Sequence, residues 1–218
     1  MRTQIMTGPA SEPVLLEEFK DNLRLDGAEE DASLGAYIST ARTMIEDHAN
    51  LMMVDRTLDL YMNKWPLEAV APGLHRSHDP WWSGVADGAI TDLGQAASYA
   101  VLPVRPVSQI SSIAIVAADG SENLWATENY HVRPGLQPAI ALAPGGRWPV
   151  PGKPVDGIRI SLTAGFGADW NQVPASLRQA LLMLAGYLYG NRGEQGSDGA
   201  VIASGAASLL RPYRERRL

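Results

Sequence analysis

The sequence contains no cysteine. That absence removes disulfides, thiol nucleophiles and cysteine-ligated zinc together, and it supplies no sign of an oxidising compartment. Only four histidines are present, too few for most histidine-rich metal sites. No long apolar run occurs either. The longest, "ALLMLAGYLY", is about half of what a membrane span needs. The opening "MRTQIMTGPASEPV" has no apolar stretch of signal-peptide length, so the expected site of synthesis and folding is the cytoplasm. An excess of basic charge is also missing: the net charge is −6. A protein that gripped nucleic acid broadly would neutralise phosphates with clustered Lys and Arg.

What is present is an ordinary folding composition, 45% hydrophobic and 19% charged over 218 residues, enough for one substantial domain with appendages. The charge is unevenly spread. The last eight residues carry Arg211, Arg214, Arg216 and Arg217, while the rest of the chain holds 14 basic and 23 acidic residues. Ahead of these arginines, residues 190–208 are rich in Gly, Ser and Ala.

Hydrophobic periodicity places the elements. Leu15, Leu16, Phe19 and Leu23 fall at helical spacing, with Glu17 and Glu18 in the first turn. Gly27 breaks the acidic connection to a second helix over about residues 32–49, traced by Leu34, Tyr37, Ile38, Ala41, Met44 and Ile45. The period then changes to two. Leu58, Leu60 and Met62 predict a strand, "ISSIAIVAADGSENLW" a hairpin turning at Asp119–Gly120, and Ile158, Ile160 and Leu162 a further strand. A last helix follows Pro174. Its main stripe is Leu177, Leu181, Leu184 and Leu188, but Leu182, Ala185 and Tyr189 make the opposite side apolar too. Such a helix is buried on several sides, either in the core or against a neighbouring subunit. Residues 67–98 form an unusually long connection between strands, and Trp81 and Trp82 argue that it packs against something.

Candidate chemistry is sparse. His75 and His78 form an H-x-x-H pair with Asp79 adjacent, which is short of a metal site, and solvated loop histidines are the better account. In "GGRWPVPGKP", Pro154 follows Lys153 where a phosphate loop needs Ser or Thr, so a turn is expected. "GFG" at 165–167 lacks the third glycine of a dinucleotide fingerprint. No G-x-S-x-G elbow occurs, and the acidic pairs Glu17–Glu18 and Glu29–Glu30–Asp31 are adjacent in sequence rather than convergent. No catalytic, cofactor-binding or metal residues are assigned. The C-terminal end differs: Leu209, Leu210 and Tyr213 interleave with Arg211, Arg214, Arg216 and Arg217, the apolar–aromatic–arginine mixture of interface anchors. It reads as a docking peptide on a flexible leash, whose removal would leave the fold intact. From the residues alone the chain is an α+β interaction protein with a docking tail. A soluble peptide- or protein-binding module, or a hydrolase whose carboxylates converge only in the fold, are the alternatives.

The order of segments carries more. "EPVLLEEFKDNLRLDG", "EDASLGAYISTARTMIEDHANLMMVDRTLDLYMNKWP", "VLPVRPVSQISSI", "DGSENLWATENYHV", "AGFGADWNQVPASLRQALLMLAGYLYGNR" and the closing "LLRPYR" together resemble the head–tail connector (adaptor) proteins of tailed phages, prophages and gene transfer agents. The resemblance spans nearly the whole chain outside 67–98. It departs at Leu15, where the family commonly has a capping Ser or Thr. It implies a mainly α-helical bundle with a small antiparallel β portion; the long inter-strand loop at 67–98, to which nothing of the family carries over, and an extended C-terminal tail are read from the residues. That divides the chain into a connector domain at 1–192 and a docking tail at 193–218. It further implies a homo-oligomeric ring of about twelve copies in the virion neck, assembled in the host cytoplasm. Such a ring binds the portal protein through its C-terminal segment and a stopper or tail-terminator protein on the tail side. DNA passes through without sequence-specific binding, and no enzyme activity, cofactor or membrane is involved.

Overall fold

The alternation of Ile158, Ile160 and Leu162 with Arg159, Ser161 and Thr163 makes a strand with one face wholly buried. In the computed structural model, which describes residues 1–66, 99–191 and 197–214, this strand is β8 (Ile158–Ala164). It is the centre of a five-stranded antiparallel sheet with β1 (Arg2–Ile5), β2 (Arg56–Met62), β4 (Val107–Val116) and β5 (Glu122–Leu124), ordered β1-β2-β8-β4-β5. Leu58, Leu60 and Met62 of β2 lie opposite Leu162, Ile160 and Ile158, so the three pairs share one face. A second sheet, β3 (Tyr99–Val101), β7 (Ala139–Leu142) and β6 (Tyr130–Arg133) in the order β3-β7-β6, contributes Ala100, Ile140 and Tyr130 to the same core. Trp65, Trp125, Trp148 and Tyr130 join this core in a tilted ring cluster, with Trp65 and Trp148 centred 4.6 Å apart. The Trp65 indole N–H donates to Pro149 O at 2.9 Å, the partner a buried indole needs.

The helices build a second core. They are α1 (Leu16–Leu23), α2 (Asp31–Ala49), α3 (Ala175–Gly190), α4 (Ser197–Ala203) and α5 (Ala206–Leu210), followed by a 3-10 turn at Arg211–Tyr213. Leu15 precedes α1 without a side-chain cap. Both α1 and α2 stop at a left-handed residue, Arg24 and Asn50, whose N–H groups return to Asp21 O and Asp47 O, which satisfies carbonyls left open at a helix end. In α3, Leu177, Leu181 and Leu184 are fully buried, Ala185 and Leu182 are buried on the other side, and Leu188 is half-buried. The neighbours that cover α3 are α1, α2, α4 and α5. These helices cover its Leu177–Ala185 stretch, while Tyr187, Leu188 and Tyr189 stay partly exposed, and Pro174 is the N-cap rather than the first helical residue.

Between the two cores lies a buried charge network. Glu46 of α2 accepts from Arg56 Nη2 at 2.6 Å and Met53 N–H at 2.9 Å on one oxygen, and from Arg42 Nη1 at 3.1 Å on the other. Arg42 Nε also donates to Glu12 at 2.7 Å. The "GFG" turn closes the same junction. A Cβ on Gly165 would stand 2.3 Å from the Asp55 backbone nitrogen, and Asp55 N–H donates to Gly167 O at 2.9 Å. Glycine is required there for close approach, which accounts for the motif without a nucleotide.

The class is α+β, and two expectations are corrected. The β portion is not a small annex to a helical bundle, because two sheets with their own core stand beside the helical layer. The sequence from 197 to 214 is not an extended tail either. It forms α4, α5 and the 3-10 turn, with Ala200, Val201, Ala206 and Leu210 buried in the helical core. Small residues there allow close helix packing: a Cβ on Gly205, at φ +79°, would lie 3.1 Å from the Met183 methyl. The 67–98 connection, with His75, His78, Asp79, Trp81 and Trp82, lies outside the described residues. So does the boundary drawn at 192–193.

Candidate docking surface

The C-terminal segment is clasped to the body on both sides of Arg211, at Leu209 and Leu210 and at Tyr213. Leu210 is fully buried and Leu209 partly so. The Tyr213 hydroxyl is 2.9 Å from Ser176 Oγ at the start of α3, and its ring meets Phe166 edge-on, with centroids 6.1 Å apart. Arg105 fixes the backbone. Its Nη2 donates to Tyr213 O at 2.7 Å and Ala49 O at 2.8 Å, and its Nε to Asn50 O at 3.0 Å. A guanidinium over the last carbonyls of α2 is favoured by the helix dipole, and here it ties that helix end to the last described turn.

Arg211 and Arg214 are exposed on either side of Tyr213. Of the seven residues expected to dock, Leu209, Leu210 and Tyr213 face this chain's own core, and Arg211 and Arg214 face solvent. Arg216 and Arg217 lie outside the described residues. The clasp residues Arg105, Ser176 and Phe166 escape sequence reasoning. Phe166 sits inside a glycine turn, Arg105 stands between prolines, and nothing local announces a partner more than 100 residues away.

Other polar features resolve into structure. Arg178 of α3 donates to both Glu18 carboxylate oxygens, at 2.7 and 2.8 Å, and stacks 4.5 Å above the Trp170 ring. Asp31 pairs with Lys20 at 2.8 Å, and Tyr189 donates to Glu30 at 2.7 Å. The Ser121 hydroxyl and N–H both donate to Asp119 and hold its carboxyl below the usual range. Lys153 lies in a turn whose N–H reaches Val116 O, and a Cβ on Gly152 would strike Ala118 N at 2.5 Å, so "GKP" packs on β4. No group of three His, Asp or Glu that could hold a metal occurs among the described residues. A shallow groove of about 380 Å³ beside β5 is lined by Ile115, Leu124, Trp125, Pro149 and Val150 with no ionisable side chain.

The fold and surface define an α+β body that presents a clasped cationic end. Solved structures of similar fold come from gene transfer agent particles. The whole chain superposes on 97% of a chain in the virion of a native gene transfer agent (GTA) particle, at a TM-score of 0.72 and 25% identity. It likewise covers 97% of chains in the neck of a native GTA particle computed with C12 symmetry (TM-score 0.72, 24% identity) and the neck of an empty GTA particle computed with C6 symmetry (0.71, 23%). No family model and no curated protein matches the sequence.

Proposed function

We propose that this chain is a structural neck adaptor of a phage-like particle, joining a DNA-filled head to its tail. The observation that carries this reading is the likeness, over the full chain, to chains from the neck and the virion of GTA particles. In this reading copies of the chain form a ring of about twelve under the portal, and a stopper or tail-terminator protein binds the ring's other end. The particle neck is where the chain resides, after assembly in the host cytoplasm. It catalyses nothing and holds no cofactor.

The clasped C-terminus supports a specific division of labour. Leu209, Leu210 and Tyr213 anchor the segment on its own subunit. Arg211, Arg214, Arg216 and Arg217 then engage carboxylates on the portal, where guanidinium forks pair bidentately. The remainder of the chain is acidic, with 14 basic against 23 acidic residues, and a channel of that sign lets DNA slide without adhering.

Deleting the gene in a particle-producing strain tests the reading. Electron microscopy is expected to show filled heads and separate tails that join when purified chain is added to the lysate. Normally tailed particles in the deletion strain overturn it.

A further inference from the structure

The five-stranded sheet has two open edges. Among the described residues, β1 pairs only with β2 and β5 only with β4. Open edges present unpaired N–H and C=O groups that invite another strand. Each of the four steps from β1 to β5 is antiparallel, so β1 and β5 run in the same direction. A rotation about an axis roughly along the strands therefore sets β1 of one copy beside β5 of the next as a parallel pair. Both faces of the sheet are kept.

The side chains fit on both faces. Following opposed partners across the sheet puts Ile5 on the face turned towards the second sheet, together with Ile115 and Asn123. Ile5 is 53% exposed, an apolar knob that the second sheet does not cover. Beside Asn123 on that same face lies the apolar groove, whose Val150 is 86% exposed. On the opposite face, Arg2 stands at the β1 edge and Glu122 at the β5 edge. Arg2 now pairs with Asp156 and Glu122 with Arg159, and exposed pairs of this kind exchange partners at little cost.

A closed ring needs two different surfaces on one chain that fit each other, so this inference rests on the ring reading above. We propose that β1 of one copy docks on the β5 edge of its neighbour, with Ile5 in the groove and Arg2 facing Glu122. The ring then closes through a sheet that runs from copy to copy.

The absence of cysteine makes the test clean. Gln4→Cys and Leu124→Cys lie on the Arg2 face at opposite edges. Within one chain they are separated by four strand spacings, about 19 Å, beyond the reach of a disulfide. The full-length double variant, assembled on the portal ring of the same genome and mildly oxidised, is expected to give a cross-linked ladder past the dimer, whereas mixed single variants stop at dimer. Ile5→Asp should weaken ring formation about tenfold, because a carboxylate would enter an apolar groove, with the monomer's circular dichroism unchanged. A ring of full mass that cross-links no more than an Ile202→Cys/Leu124→Cys control, and that tolerates Ile5→Asp, overturns the edge contact and leaves the ring reading standing. A chain that never gains copies on the portal overturns both.

Discussion

Glu46 holds Arg42 and Arg56 at the seam between the two cores, and both arginines are largely out of solvent. Removing a buried ion's partner strands the charge, at a cost of about 3–5 kcal/mol. Glu46→Ala is therefore expected to lower the urea midpoint sharply, and Glu46→Gln, which keeps an acceptor for Met53 and Arg56, to lower it less. Equal losses would contradict the charge argument. Asp55 acts in the opposite sense. Burial pushes its carboxyl above the ordinary value, against a smaller downward pull from a Gly167 backbone hydrogen bond, and Oδ1 has no hydrogen-bond partner among the described residues. A carboxyl whose pKa is higher folded than unfolded favours the folded state fully while protonated, below its unfolded value. That advantage is lost as pH rises through the raised folded value. Asp55→Asn should consequently gain stability relative to the native chain between about pH 4 and neutrality. Thermal melts at the two pH values check this, and an unchanged difference would refute it.

At the scale of elements, α3 and the C-terminal helices form one unit. Leu184→Asp places a carboxylate at a fully buried position of the helical core and is expected to abolish folding, seen as loss of cooperative melting. Leu210→Ala should cost about 2–5 kcal/mol as a cavity in the same core. Removing residues 207–218 takes Leu210 with it and should unfold the helical layer, whereas removing only 215–218 should leave the melt unchanged. A cooperative melt at native temperature after the longer deletion would contradict the clasp. What the sequence shows and what it hides divides along physical lines. The α3 stripe and the alternation of β8 each repeat one period along a whole element, and both are legible. Strands β1, β3, β6 and β7 have three or four residues each, too few to establish an alternation, and their pairing depends on distant partners. The stretch up to Ser208 looks like a leash because Gly, Ser and Ala are common in linkers. In the fold the same small residues let Ala200, Ala206 and Gly205 press closely against α3. Composition cannot separate those two uses, and the arginines' presentation on a fixed turn, clasped by Arg105, was hidden with it.

For the whole molecule, the proposed function has an acidic α+β body carrying a cationic end that fastens it to a portal in the neck of a phage-like particle. Exposed arginines on a clasped turn imply binding that weakens with ionic strength. Reversing Arg211 and Arg214 to Glu should remove portal binding without moving the melt. The most direct measurement is the mass of the portal ring from the same genome, by mass photometry, before and after adding this chain. A gain of about twelve subunits, abolished by the arginine reversal, is the result the account predicts. A portal ring whose mass does not change when the intact, folded chain is added in excess would contradict it.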